Sequence, residues 1–555
     1  MNPIINRLTL ATITAAIPLT VAAPLARAED AERITAIEQQ INALRRELEQ
    51  MKQNLARRDA DLQQARREAV AARLQAGQAA QPPLATALPS GAAVQAATPQ
   101  TTPPREKGEF QLGGVTIRLG GYLEAAGIFR SRNEVADISS SWNGIPFGNL
   151  PQAHESELRA TARQSRATIL VHGEPDSVTT ISAYGEIDLQ GAAPTANSNE
   201  SNSYTPRLRQ AYIGYDRSDL GVHLLAGQSW SLLTQFDKGL IPRHESPTLT
   251  IDGQYVPGFT WARQAQVRVV KDLFDNKLSI GMSLESPQTV FSTTGYSTAT
   301  TFPAGANGLA LPNGQFANVN NPGASGYSST VNYSSDVAPD IVGKVAWDPG
   351  YGHYEVYGVA RFMHDRVDYV GGGGGRTKLA GGVGAGTVVP IIPSKLELHA
   401  SFLTGYGIGR YGAGQLPDAT IAPNGSPAPI PEVQALIGLV GHPTPEIDLY
   451  TYAGTEQAGK TAFTVAGKGY GYGSPLFVNS GCNTELSPLA CTGNTSGITQ
   501  ATIGGWWRFL HGDFGTMQFG AQYSYTRRQA FEGIGGAPKT DDNMVMISLR
   551  YLPFQ

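Results

Sequence analysis

The chain is 555 residues long, with a formal net charge of −4, only 16% charged residues, 64 Gly, 22 Tyr and two Cys. That balance lacks the basic surface expected of a general nucleic-acid binder. Beyond the N-terminus no stretch reaches the ~18 consecutive apolar residues of a spanning helix, so a membrane-embedded form must satisfy its backbone between strands.

In chain order, residues 1–28 read as a secretory signal: Arg7 supplies the positive region, Leu8 to Val21 the apolar one, and Ala26-Arg27-Ala28 a cleavage site before Glu29. Pro18, Pro24 and the short apolar core argue against a membrane-spanning anchor. Residues 29–74 form a separate module, in which Ile34, Ile37, Ile41, Leu44, Leu48, Met51, Leu55 and Leu62 fall on alternating three- and four-residue steps, interrupted at Arg58. That is a heptad seam, and isoleucine at both seam positions favours three or more strands, so a trimeric coil is expected over a lone amphipathic helix. Residues 75–107, rich in Ala, Gln, Pro and Thr and carrying Pro82-Pro83 and Pro103-Pro104, read as a semi-extended linker.

From there to the C-terminus, residues 108–555, apolar and polar residues alternate in segment after segment. In Thr179–Gln190 the odd positions Ile181, Ala183, Gly185, Ile187 and Leu189 avoid water, while Ser182, Tyr184, Glu186 and Asp188 seek it. Val545, Ile547, Leu549 and Tyr551 repeat the pattern near the end. Short turns are read at Gly173–Ser177, Asp216–Asp219, Leu273–Lys277, Asp348–Gly352, Ile392–Lys395, His442–Glu446 and His511–Asp513. Between them lie long connections near 131–156, 191–205, 231–260, 291–340, 365–376, 410–432, 456–497 and 528–540. Seven short turns alternating with eight long loops predict an all-β transmembrane barrel of 16 antiparallel strands, preceded by the helical coil. A barrel of that size is expected to hold an aqueous lumen, whereas eight strands would be filled by their own side chains.

Parity then sorts the wall. Arg118, Glu124, Gln164, Arg166, Glu186, Asp188, Gln264, Gln266, Arg268, Glu355, Arg361, Lys395, Glu397, His399 and Arg550 are expected inside. The face of Arg207 and Arg209 is ambiguous, because Leu208 and Tyr212 compete with Ala211 and Ile213 for the outside. Arg163, Arg166, Arg207, Arg209, Arg263 and Arg268 lie close enough along three strands to form a ladder, and guanidinium forks match carboxylates and phosphates. The competing expectation is that they pair with Glu186 or Asp188 and only keep the lumen hydrated. The third long loop brings Arg243 and could fold inward, cap the outside or touch a neighbour.

Cys482 and Cys491 are most simply a disulfide closing a small loop in an exported chain. Gly407 to Gly412 matches GxGxxG but opens no helix, so nucleotide binding is not expected. His154-Glu155-Ser156 and His244-Glu245-Ser246 are adjacent loop residues, which do not make a triad. No set of residues supports an enzyme, and no cofactor or metal is expected.

Several strings resemble the DcaP-like outer-membrane porins: Ala162-Arg163-Gln164-Ser165-Arg166, Pro206 to Tyr212, Leu225 to Trp230, Arg263 to Arg268 and Gly405 to Tyr411. The resemblance covers most of the barrel and extends to the signal, coil and linker. It implies a homotrimeric 16-stranded porin of the bacterial outer membrane, with its coil in the periplasm, embedded in lipid and admitting small anionic solutes such as dicarboxylates. Arg166, Arg207, Arg209 and Arg268 would be lumen residues first, Arg163 and Arg263 second. The alternative is a structural barrel whose coil binds the cell wall or a periplasmic partner; an outer-membrane hydrolase lacks a converging Ser/His/acid set.

Overall fold

The computed structural model describes Glu49, Gln50, Gln53 and residues 107–555 apart from 192–204, 299–307 and 323–331. The expected signal, coil and linker lie outside the described residues, save that Glu49, Gln50 and Gln53 are helical.

Sixteen antiparallel strands close into one barrel. They are β1 (Val115–Arg130), β2 in two halves (Glu157–Thr161 and Arg166–Asp176), β3 (Thr179–Gly191), β4 (Thr205–Arg217), β5 (Val222–Trp230), β6 (Arg263–Leu273), β7 (Leu278–Glu285) and β8 (Asp340–Trp347). There follow β9 (His353–Tyr369), β10 (Gly372–Ile392), β11 (Leu396–Tyr406), β12 (Pro431–Thr444), β13 (Ile447–Ala458), β14 (Thr495–Gly512), β15 (Gly515–Ala530) and β16 (Lys539–Leu552). Each pairs with the next, and β16 returns to β1 from Leu123↔Tyr551 to Arg130↔Met544, which closes the barrel. All seven short turns fall where the alternation places them.

One long connection is corrected. Residues 365–376 are strand: β9 and β10 stay paired as far as Tyr369↔Gly372, and the turn is only Val370-Gly371. The run Gly371 to Gly375 reads as a loop in sequence because glycine disfavours strands, but pairing with β9 overrides that preference.

The pleat separates the two faces as expected. In β6, Gln264, Gln266 and Arg268 are buried while Ala265, Val267 and Val269 are exposed. Ile213, Leu449, Ile503 and Ile547 belong to the same exposed apolar exterior, the outward band of a lipid-embedded barrel.

The interior departs from the open water-filled lumen that strand number suggests. Loop L3 (231–262) folds into the barrel, and its Leu232, Leu233, Phe236 and Leu240 pack on Val342, Tyr357, Val359 and Leu403 of the wall. Farther along, Ile251, Val256 and Phe259 join a second apolar cluster with Trp142 of L1 (131–156) and Leu436, Tyr450 and Trp506 of the wall. Each such side chain, fully buried, contributes about 1.5–3 kcal/mol relative to exposure. L6 (407–430) locks onto L3: the Ala413 N–H donates to Phe259 O at 3.0 Å and the Trp261 N–H to Tyr411 O at 3.1 Å. Sequence gave three options for L3, and folding inward is the one adopted.

Candidate functional site

A bulge resolves the ambiguity at Arg207 and Arg209. Glu186 pairs with Gln210, but the next residue, Ile187, pairs with Leu208, so Arg209 is the extra residue of β4. Leu208 therefore faces out, while Arg207, Arg209, Gln210 and Tyr212 all serve the inner side. Arg207 makes a two-pronged bond to Asp188, Nε to Oδ1 at 3.0 Å and Nη2 to Oδ2 at 2.6 Å. Arg209 is buried and bonds Glu186, Asp188 (3.1 Å) and the Tyr255 hydroxyl (3.0 Å). From the neighbouring strand β2, Arg166 reaches Glu186 at 3.3 Å and remains partly exposed.

Arg166, Glu186, Arg209, Gln210 and Tyr255 line a cavity of about 490 Å³ between L3 and the short-turn end of the barrel. Arg166, Arg209, Arg243, Arg508 and Arg550 border it, against the carboxylates of Glu186, Glu245 and Asp448. Arg166 and Arg209 pair with Glu186, Arg209 also with Asp188, Arg508 with Asp448 and Arg550 with Glu124, and burial pushes the Glu245 carboxyl up against the pull of Arg268, which weakens one of the acids. Aromatic faces order the guanidinium groups: Arg550 lies 4.5 Å from the Tyr122 ring and 4.2 Å from that of Trp506, and Arg166 lies 5.4 Å from Tyr122. Arg550 also donates to Glu124 at 3.0 Å and Gln164 at 3.2 Å, which fixes its guanidinium at the border of the cavity.

L3 supplies the cavity's roof under strain. Arg243 and Tyr255, neither a glycine, both have φ of 73°, a left-handed conformation that costs about 1–3 kcal/mol each. Both are tied down at their side chains, Tyr255 by Arg209 and Arg243 by the Tyr212 hydroxyl at 3.2 Å. Burial pushes the Tyr255 phenol up, but Arg209, Arg263 and Arg166 outweigh it and bring it down to about 8.

The remaining arginines do not extend this cluster into one ladder. Arg163 sits in the break of β2 and bonds Leu189 O (3.2 Å), Gly191 O (2.7 Å) and Asp137 (3.4 Å), bracing L1 against β3. Arg361 is spent on Asp340 (3.1 Å), Asp418 (2.7 Å), Gln288 O (2.6 Å) and Gly407 O, all inside the fold. Arg268 is sealed beneath L3, donating to Gln266 and to Trp230 O. Arg263 stacks on Trp230 at 4.5 Å but shares its parity with the outward Ala265, not with Arg268. Arg508, Trp506, Trp230 and Tyr255 carry no functional signal in the sequence beyond the place of Arg508 in the turn-proximal stretch of β14, and Tyr255 lies in a loop where no periodicity applies. Cys482 and Cys491 are disulfide-bonded in the 459–494 loop, beside Phe147 and Ala530. Gly407 to Gly412 forms a short inward turn of L6. Among the described residues no group of three or more His, Cys, Asp or Glu is arranged to hold a metal.

No protein-family model matches the chain, and no curated protein does. Its fold is similar to the crystal structure of the outer membrane channel DcaP of Acinetobacter baumannii, at a TM-score of 0.54 and 16% identity over 80% of this chain and 99% of that one. The anion-selective porin from Comamonas acidovorans aligns at a TM-score of 0.42 and 9% identity, covering 79% and 99% of the two chains. OmpT, an outer membrane protein of Vibrio cholerae, aligns at 0.40 and 10% identity, covering 80% and 99%.

Proposed function

We propose that this chain is a DcaP-like outer-membrane porin that passes small hydrophilic solutes by diffusion and favours anions, dicarboxylates among them. The observation that carries the reading is the cavity beneath L3, which five arginines border together with three carboxylates, with aromatic rings lying against Arg166 and Arg550. An anion entering it exchanges water for N–H donors already in place, while a cation meets the same charges as a barrier. The ion pairs of Arg207 and Arg209 with Glu186 and Asp188 fix the wall on which this happens; Arg166, Arg243, Arg508 and Arg550 are the groups the solute meets. The exposed apolar belt suits an outer-membrane lipid setting, and a homotrimer is the assembly the sequence resemblance implies.

The test is reconstitution of the purified chain in a planar bilayer. A reversal potential showing anion preference across a salt gradient, block by added succinate, and loss of both in Arg166→Gln with Arg550→Gln would support the reading. Well-folded barrel that inserts without conductance would overturn it and favour a structural tether acting through residues 29–74. Deletion of residues 29–107 separates the two, since a channel keeps conducting without them.

A further inference from the structure

The wall is not continuous at the loop end of β4 and β5. The two strands pair from Arg217↔Val222 to Ala211↔Gln228 and stop. Above that point β4 continues on β3 as far as Thr205↔Gly191, while β5 continues on β6 as far as Trp230↔Arg263. The strands therefore splay. Gly227 permits the bend: its φ is 133°, and a Cβ there would lie 2.3 Å from Ala211 O. Gln228 replaces the missing ladder bonds, its Nε2 donating to Leu208 O at 3.0 Å and Arg209 O at 3.1 Å.

The splay encloses a cavity of about 440 Å³ that includes Arg207, Leu208, Trp261, Arg263 and, from L6, Arg410. Among the described residues no carboxylate lines it. Arg207 is held by Asp188, and Arg410 donates to Gln288 O at 2.6 Å and to Gln264. Arg263 differs: among the described residues its Nη1 is buried with no hydrogen-bond partner, and the guanidinium lies 4.5 Å from the centroid of the Trp230 ring. A buried guanidinium nitrogen without an acceptor is costly, and a bound oxyanion is the group that would satisfy it. The pocket's mouth includes Leu208, an outward-facing residue that is 51% exposed. Leu208 opens one side of the pocket to the outer face of the wall, while Arg263 lies against Trp230, which also lines the cavity beneath L3.

We propose that this gap is a lateral binding site for a phosphate group, with Arg263 as its primary ligand and Arg207 and Arg410 completing the positive surround. Two sources share that chemistry, a lipid headgroup held at the wall and free phosphate. The side-facing mouth with apolar Leu208 at its lip matches a phosphate carried on an acyl chain.

The experiment uses the full barrel in neutral detergent micelles and measures binding of dioctanoyl phosphatidic acid and of inorganic phosphate by titration calorimetry. The site is supported by phosphatidic acid binding that weakens at least tenfold in Arg263→Gln and is retained in Arg263→Lys. Leu208→Trp, at an exposed lip that touches no ion pair, is expected to weaken the lipid and spare inorganic phosphate if a headgroup is the occupant. If Arg263→Gln weakens both probes alike and Leu208→Trp weakens neither, free phosphate is the occupant and the site stands. Equal binding of phosphatidic acid by wild type and Arg263→Gln, or no binding of either probe by folded wild type, overturns the proposal.

Discussion

The carboxylate of Glu456, on β13, accepts the backbone N–H of Gly258 in L3 at 2.8 Å. The same oxygen accepts the Gly414 N–H of L6 at 2.7 Å, so one wall residue holds both inward loops. Glu456→Ala leaves two buried donors unpaired, at about 1–3 kcal/mol each, which is enough to let the loops leave the wall. Larger and noisier single-channel currents are expected. Glu456→Gln keeps an acceptor oxygen and should conduct like wild type; identical currents in all three proteins would show that Glu456 does not hold the loops.

Gly454 marks the closest approach of L3 to the wall. A Cβ there would sit 1.9 Å from Pro257 O, a clash with backbone that no rotamer relieves. Gly454→Val is expected to displace L3, raise conductance and reduce anion preference, because the strained Tyr255 lies two residues before Pro257. Reversal potentials with unchanged selectivity would show that L3 does not set it.

Arg209 and Arg166 share Glu186 but differ in burial. Arg209→Gln strips a buried cation from both Glu186 and Asp188, and a loss of about 3–5 kcal/mol in barrel stability is expected. Arg166 keeps 23% of its side chain exposed, so Arg166→Gln should cost less stability than Arg209→Gln while lowering anion preference. Urea unfolding followed by tryptophan fluorescence, with reversal potentials on the same preparations, reads both effects.

The Tyr255 phenol, lowered to about 8, predicts a pH-dependent selectivity. Below pH 8 the group is neutral; above it a phenolate adds one negative charge beside Arg209, Arg263 and Arg166. Anion preference should therefore fall as pH rises from 7 to about 9. Tyr255→Phe removes the hydroxyl and should flatten that step without lowering the preference at pH 7.

Glu134, in L1, is raised to about 8 by burial, against the pull of Arg130 and the Ser141 N–H. Its folded value lies above the unfolded one, so the folded chain keeps a proton that the unfolded chain releases. Stability from this group is highest below the ordinary carboxylate range and declines as pH rises toward 8. Glu134→Gln cannot lose a proton there, so the difference in Tm between variant and wild type should grow from pH 5 to 8 in favour of the variant.

The alternation in β3, β6 and β16 was legible in sequence because a residue's face depends only on its neighbours two positions away. Seven short turns and barrel closure follow from the same local rule. It failed where local preference met a stronger partner: the glycines after Val370 became strand because β9 pairs with them, and Arg209 broke parity through a bulge that only its register with Glu186 reveals. Of the arginines named from the sequence, Arg166, Arg209 and Arg243 line the cavity beneath L3, while Arg163 and Arg361 are engaged inside the fold.

The sequence by itself determined that the chain is a barrel, where its wall turns, and that arginines crowd its first six strands. Tertiary structure decided which of those charges are spent and which remain. Pairing inside the lumen joins residues far apart in the chain, as the bridge between Thr260 and Gly412 and the stacking of Arg550 on Tyr122 show. No periodicity carries that information, because it is set by how L3 and L6 fill the space that the closed wall encloses.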